Sequence, residues 1–276
     1  MNKRAPSLAL LLACALASTV SAEQAAPATA ATPAALDAAI NGNWRTPKNV
    51  ARDAFRHPSR TLVFFGVQPN QTVIEITPGG GWYSEILAPY LRDGGNYVAA
   101  VVDPEKASNR DYQQKQLDGL VGKFTAAPAQ YGKAEVRKFD PVNPVFGPAG
   151  SADVVLTFRN VHNWRASGQA EGMFKGFFAV LKPGGTLGVV EHRAKADVPA
   201  DDKTGYVGQA QVIALAEAAG FKLEGQSEVN ANPKDTKDHP NGVWTLPPVN
   251  NHAAADDAKY QAIGESDRMT LRFVKP

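Results

Sequence analysis

Short unbroken apolar runs alternate with longer stretches of helical spacing along most of the chain. Runs at 72–76, 97–102, 134–139, 153–158 and 186–191 are strand candidates, and those at 72–76, 97–102 and 153–158 show no polar-apolar alternation, the pattern expected of strands buried on both faces. Between them, 83–91, 110–124 and 169–181 have helical spacing, so the order is βαβαβ and predicts a parallel sheet covered on both sides. A further helix, 207–219, leads through Gly220 into a sixth strand at 221–229. The last run, 269–274, follows a long polar stretch without a helical unit, so it cannot close a right-handed crossover and is expected to run antiparallel. The predicted fold class is α/β: a doubly wound, mostly parallel seven-stranded sheet with an antiparallel last strand. Helices at 35–40, at 47–57 (with Val50, Ala54 and Phe55 spaced along one face) and at 60–65 precede it, with a break at His57-Pro58-Ser59.

The ends of the chain read differently. Lys3 and Arg4 precede an apolar stretch at 8–17 and the small-residue site Val20-Ser21-Ala22, which together read as an export signal over 1–22. The apolar stretch is too short to span a bilayer, so no transmembrane span is expected. The expected location is periplasmic or secreted; lipid anchoring at Cys14, within the weak lipoprotein-like box Leu11-Leu12-Ala13-Cys14, is the less favoured outcome. An Ala, Pro and Thr tether follows at 23–34, then an N-terminal helical extension at 35–68 and a main domain at 69–276. Within that domain 230–267 is polar and interrupted by Asn232-Pro233, His239-Pro240 and Pro247-Pro248, and it is expected to form a loop-like lid over the pocket.

With 276 residues and 43% of them hydrophobic, the chain can bury a sizeable core. Its formal charge is +2, and loss of Lys3 and Arg4 with the leader leaves 27 basic against 27 acidic residues, which argues against a nucleic-acid partner. Cys14 is the only cysteine and would leave with the leader, excluding thiolate and disulfide chemistry from the mature chain. The oligomeric state is not legible.

The first strand runs into Glu75-Ile76-Thr77-Pro78-Gly79-Gly80-Gly81-Trp82-Tyr83-Ser84, a glycine-rich strand-to-helix turn whose backbone can approach a ligand closely. As a dinucleotide fingerprint it fails, because Ser84 stands where the third glycine belongs. Asp103 ends the second strand and Asp140 follows the third. An acidic side chain at the former position accepts hydrogen bonds from ribose hydroxyls in doubly wound folds, although either acid alone could equally cap a turn. Ligand-type positions at the ends of three successive strands point to one binding crevice.

These residues resemble motif I of class I S-adenosylmethionine-dependent methyltransferases, and Val102-Asp103, Asp153-Val154-Val155-Leu156, Leu181-Lys182-Pro183-Gly184-Gly185 and Ala218-Ala219-Gly220-Phe221 are similar to later elements of that family. The chain further resembles a bacterial group of exported predicted methyltransferases through Phe55-Arg56-His57-Pro58, Arg159-Asn160-Val161-His162-Asn163-Trp164 and Glu191-His192-Arg193-Ala194. The resemblance implies a Rossmann-like methyltransferase fold, S-adenosyl-L-methionine as cofactor, and a cofactor pocket built from Glu75, Thr77, Gly79, Gly80, Gly81, Asp103 and Asp140. Thr77 departs from the pattern, standing where motif I has its first glycine.

A sulfonium methyl donor is already activated, so positioning supplies most of the rate, and a base is needed only when the acceptor must lose a proton. His162 and His192, after the fourth and fifth strands, are the candidate bases, with Asn160 or Glu191 orienting them. The five histidines show no metal-ligand spacing, and no metal is expected. The reading is therefore a methyltransferase for an unidentified small-molecule acceptor. An exported non-catalytic module binding a nucleotide or other ligand on the same fold, permitted by Thr77, is the alternative; a nicotinamide oxidoreductase is disfavoured by Ser84 and by the Pro183-Gly184-Gly185 turn.

Overall fold

The apolar runs form strands. In the computed structural model β1 (Thr72–Ile76), β2 (Asn96–Val102), β3 (Glu135–Phe139), β4 (Ala152–Phe158), β5 (Leu181–His192), β6 (Lys222–Ser227) and β7 (Arg268–Val274) make one seven-stranded sheet, ordered β3-β2-β1-β4-β5-β7-β6. Strands β1 to β5 pair in parallel, and β7 lies antiparallel between β5 and β6. The structure describes Met1 and residues 33–276; the expected leader with Cys14, and the tether up to residue 32, otherwise lie outside the described residues. Among the described residues no helix is long and apolar enough to cross a membrane.

Helices α1 (Ala34–Ile40), α2 (Pro47–Val50), α3 (Asp53–Arg56) and α4 (Pro58–Phe64) precede the sheet. They are followed by α5 (Ser84–Leu91), α6 (Arg110–Ala126), α7 (Pro128–Tyr131), α8 (Val161–Ala166), α9 (Ala170–Val180), α10 (Gln209–Ala218) and α11 (Asp257–Ile263). Side chains alternate across each strand, so one strand serves two cores. Ile74 and Ile76 of β1 join Val155, Leu187 and Val189 against α8, α9 and α10, whereas Val73 joins Leu156 and Val190 against α1, α4 and α5. The N-terminal helices are thus part of the sheet's own core. Gly188 makes this contact possible: a Cβ there would stand 2.7 Å from Leu156 Cδ2 and 2.8 Å from the Phe65 ring, so any larger residue would lift the helical layer off the sheet.

Two expectations need correction. The segment 47–57 is not one amphipathic helix but the two short helices α2 and α3, and the buried side chains are Asn49 and Arg56, while Val50 and Phe55 are 44% and 40% exposed. Polar contacts replace apolar packing here: Trp82 Nε1 donates to Asn49 O at 2.8 Å, and the Arg56 guanidinium lies 4.7 Å from the centre of the Trp82 ring. The segment 230–267 is not loop throughout, since α11 lies within it. That helix buries only Tyr260, too little to serve as a crossover layer, and β7 accordingly returns antiparallel.

Strand β1 pairs with β2 on one side and β4 on the other, so the chain winds outward in both directions from this point. The carboxyl ends of β1 and β4 therefore flank the crevice where doubly wound sheets bind ligands.

Candidate functional site

A cavity of about 1120 Å³ occupies that crevice. Its floor is the turn between β1 and α5. Gly79 adopts φ +57°, and a Cβ on either Gly79 or Gly80 would meet nothing within 4 Å, so the backbone here faces open space. Gly81 serves the packing of the turn instead. At φ +75° its Cα sits where a Cβ would press on Leu120 Cδ1 at 3.1 Å, and it is not among the residues lining the cavity. Thr77 holds φ +51°, anchored by its amide donating to Ala100 O at 2.8 Å, and its buried Oγ1 has no hydrogen-bond partner. A strained residue with an unsatisfied hydroxyl beside a cavity is what a ligand-binding turn presents.

Glu75 lines the cavity from beneath this turn and is fully enclosed. Tyr97 Oη donates to its Oε2 at 2.5 Å and Ser84 Oγ at 3.2 Å. Burial outweighs these bonds and raises the carboxyl to about 7.

The two expected acids lie next to lining residues, Asp103 after Val102 and Asp140 between Phe139 and Pro141. Neither Asp103 nor Asp140 is among the residues lining the cavity. Asp103 accepts from the Glu105 amide at 3.3 Å and stands 3.5 Å from Lys138 Nζ; Asp140 accepts from the amides of Val142 and Asn143. Both carboxylates serve local turns, and the wall beside them is made by Val102, Phe139 and Val142.

At the ends of β4 and β5 the structure brings three of the four catalytic candidates together. Glu191 is fully buried, and its carboxylate accepts from the amides of His162 (3.2 Å) and His192 (2.8 Å) while contacting His162 Nδ1 at 3.1 Å. His162 and His192 line the cavity with ring centres 5.5 Å apart. Nδ1 of His192 lies 2.5 Å from Ser266 Oγ, and burial, followed by the charge of His162 and of nearby arginines, holds this histidine well below its ordinary pKa. Asn160 stands apart in role: its Nδ2 donates to Ile76 O and Thr157 Oγ1, tying the loop after β4 to the end of β1.

His162, Glu191 and His192 also offer ligand atoms within 4.8 Å of one another, the one such group among the described residues. No sequence spacing signals it, since the set is assembled across two loops.

Four cavity-lining arginines, Arg52, Arg56, Arg159 and Arg268, complete the site. Arg52 pairs with Glu265 at 2.5 Å, Arg56 approaches Glu265 at 3.6 Å, and Arg268 bonds the same carboxylate. The group was not anticipated as a unit, because its members come from α2–α3, the β4 loop and β7. The Arg52 and Arg56 spacing of i, i+4 was the one available signal.

No protein-family model matches the chain, and no curated protein matches it in sequence. Solved structures do match in fold. A SAM-dependent methyltransferase from Aquifex aeolicus is 16% identical, with 84% of this chain and 94% of that chain covered and a TM-score of 0.52. The [4+2]-cyclase SpnF is 16% identical over 86% of each chain, with a TM-score of 0.56. An arsenic(III) S-adenosylmethionine methyltransferase from Chlamydomonas reinhardtii is 14% identical, covering 89% of this chain and 74% of that chain at a TM-score of 0.51. The chain therefore has the Rossmann-like fold of S-adenosylmethionine-dependent methyltransferases, with a mostly parallel seven-stranded sheet and one antiparallel strand.

Proposed function

We propose that the protein is an S-adenosylmethionine-dependent methyltransferase for a small-molecule acceptor. One observation carries this reading: the open backbone of Gly79 and Gly80, with the unpartnered Thr77 hydroxyl, shares a single cavity with the histidines at the ends of β4 and β5. Glu75, Thr77, Gly79 and Gly80 would hold the cofactor, which supplies an activated methyl group when bound. Trp244, Pro247 and Pro248 from the 230–267 segment form an apolar wall of the cavity, acting as a lid that excludes water. His162, donating Nδ1–H to Glu191, presents Nε2 as the acceptor for a proton leaving the substrate nucleophile.

Binding is tested with S-adenosylhomocysteine. At 100 times its dissociation constant it should stabilise the protein by about 2.7 kcal/mol and slow amide exchange at residues 243–249. Gly80→Val should keep the fold, since nothing lies within 4 Å of a Cβ at this position, yet lose this stabilisation by filling the cradle. An unchanged melting temperature for the wild-type chain at millimolar ligand would remove the reading.

We also propose that residues 1–22 direct export, with cleavage after Ala22. N-terminal sequencing of the exported form should begin at Glu23. A mature form acylated at Cys14 would contradict it.

A further inference from the structure

The arginine-lined end of the cavity has more charge than the protein neutralises. Arg52, Arg56 and Arg268 share the single carboxylate of Glu265, and the Arg159 guanidinium makes no hydrogen bond or ion pair among the described residues. Nε of Arg56 and Nε of Arg268 are buried without hydrogen-bond partners. Arg159 is held at left-handed backbone angles, φ +61°, with its amide donating to Val190 O at 2.7 Å, so its position is imposed by the end of the sheet. Three of the four guanidiniums pair directly with one carboxylate, and Glu75, the other acid that acts on Arg159 and Arg56, is itself raised to about 7, so the wall keeps an excess of positive charge that costs stability unless something anionic completes it.

Building on the methyltransferase reading, we propose that this cluster binds a carboxylate or phosphate group carried by the methyl acceptor. Planar guanidiniums with free donors are suited to oxyanions, which they bind through paired hydrogen bonds. Chain position sets two of the arginines beside the candidate base. Arg159 is three residues before His162, and Arg268 is two residues after Ser266, which touches His192. An oxyanion held here would therefore bring the rest of its molecule beside the candidate base. The cofactor alone does not balance the charge, because its one carboxylate is accompanied by an ammonium and a sulfonium. The same positive field disfavours a dication at His162, Glu191 and His192, since Arg268, Arg159 and Arg56 all act electrostatically on His192.

Like-charge crowding gives the test a sign that a merely structural role would not show. Burial and the neighbouring Arg268 lower Arg159 to about 10, so Arg159→Gln should leave the unliganded protein at least as stable as the wild type. Inorganic phosphate, titrated at constant ionic strength against a chloride control, should raise the melting temperature of the wild-type protein both without and with saturating S-adenosylhomocysteine. Arg159→Gln should weaken phosphate binding by about 10- to 100-fold while changing S-adenosylhomocysteine affinity by less than about threefold. Arg52→Gln, at a partly exposed member of the cluster, should weaken phosphate in the same direction and serves if the first variant does not fold. The proposal is overturned if phosphate gives no shift, or if its shift vanishes under saturating S-adenosylhomocysteine while both variants lose affinity for that ligand; the arginines would then hold the cofactor's carboxylate. A phosphate response without any S-adenosylhomocysteine response would remove the methyltransferase reading and leave the anion site standing.

Discussion

Replacing His162 with alanine is expected to lower turnover by about 10²- to 10⁴-fold while leaving S-adenosylhomocysteine affinity nearly unchanged. The contrast with His192 motivates the choice. Nδ1 of His192 is taken by Ser266, and desolvation together with the neighbouring positive groups holds the ring well below its ordinary pKa, so it is braced as part of the wall. His162 is held from both sides, its amide and Nδ1 on the carboxylate of Glu191, and its ring faces Trp244 edge-on at 6.1 Å. That arrangement fixes the ring and leaves Nε2 to take a proton. Glu191 is not among the residues lining the cavity, so it is a positioning residue: Glu191→Gln should lower kcat more than it changes KM, because the ring loses its orienting charge without a change in the pocket surface. Release of S-adenosylhomocysteine, measured with whichever acceptor supports turnover, reads both effects. Full turnover in His162→Ala would mean that positioning alone drives transfer, or that the nucleophile arrives already ionised.

Legibility in the sequence followed the physics of burial. β1 and β4 are covered on both faces, so their side chains had to be apolar almost without interruption, and 72–76 and 153–158 stood out as strands. The segment 47–57 misled for the converse reason: its buried face consists of Asn49 and Arg56, fixed by Trp82 rather than by apolar contact, so hydrophobic spacing pointed to the wrong side. Asp103 and Asp140 show a different limit. A carboxylate after a strand has the same sequence signature whether it meets a ligand or its own turn; both accept local amides through Oδ1, while Val102, Phe139 and Pro141 beside them line the cavity. The meeting of His162 and His192 was legible because one stands shortly after β4 and the other at the end of β5, two paired central strands. The arginine cluster was not, since positions 52, 56, 159 and 268 meet only after the N-terminal helices have docked on the sheet and β7 has inserted beside β5.

Substituting Glu75 with glutamine is expected to make the protein more stable at pH 8, by about 3 kcal/mol relative to its effect at pH 4. The carboxyl is 2% exposed, and its folded pKa of about 7 lies well above the ordinary 4.5. A native state that holds an acid's proton more tightly than the unfolded chain gains stability from it below about pH 4.5 and loses that gain as pH rises to about 7. Above that value the ionised carboxylate remains enclosed at full desolvation cost, partly offset by Tyr97 and Ser84. Glutamine keeps the acceptor for Tyr97 and removes the charge, so the gain appears only where the wild type is ionised. The wild-type profile alone would hide this. His192, lowered in the native state, loses stability as pH falls below about 6.5. Glu265, which burial raises but Arg268 and its neighbours bring down to about 2, loses it as pH falls below about 4.5. Both oppose Glu75, but neither changes between the two proteins, so the difference between their urea unfolding free energies isolates the one carboxyl. That difference should be flat below about pH 4.5, climb through the interval to about pH 7 and level off above it. A pH-independent difference would mean that Glu75 is already ionised throughout, and that the arginines across the cavity outweigh its burial.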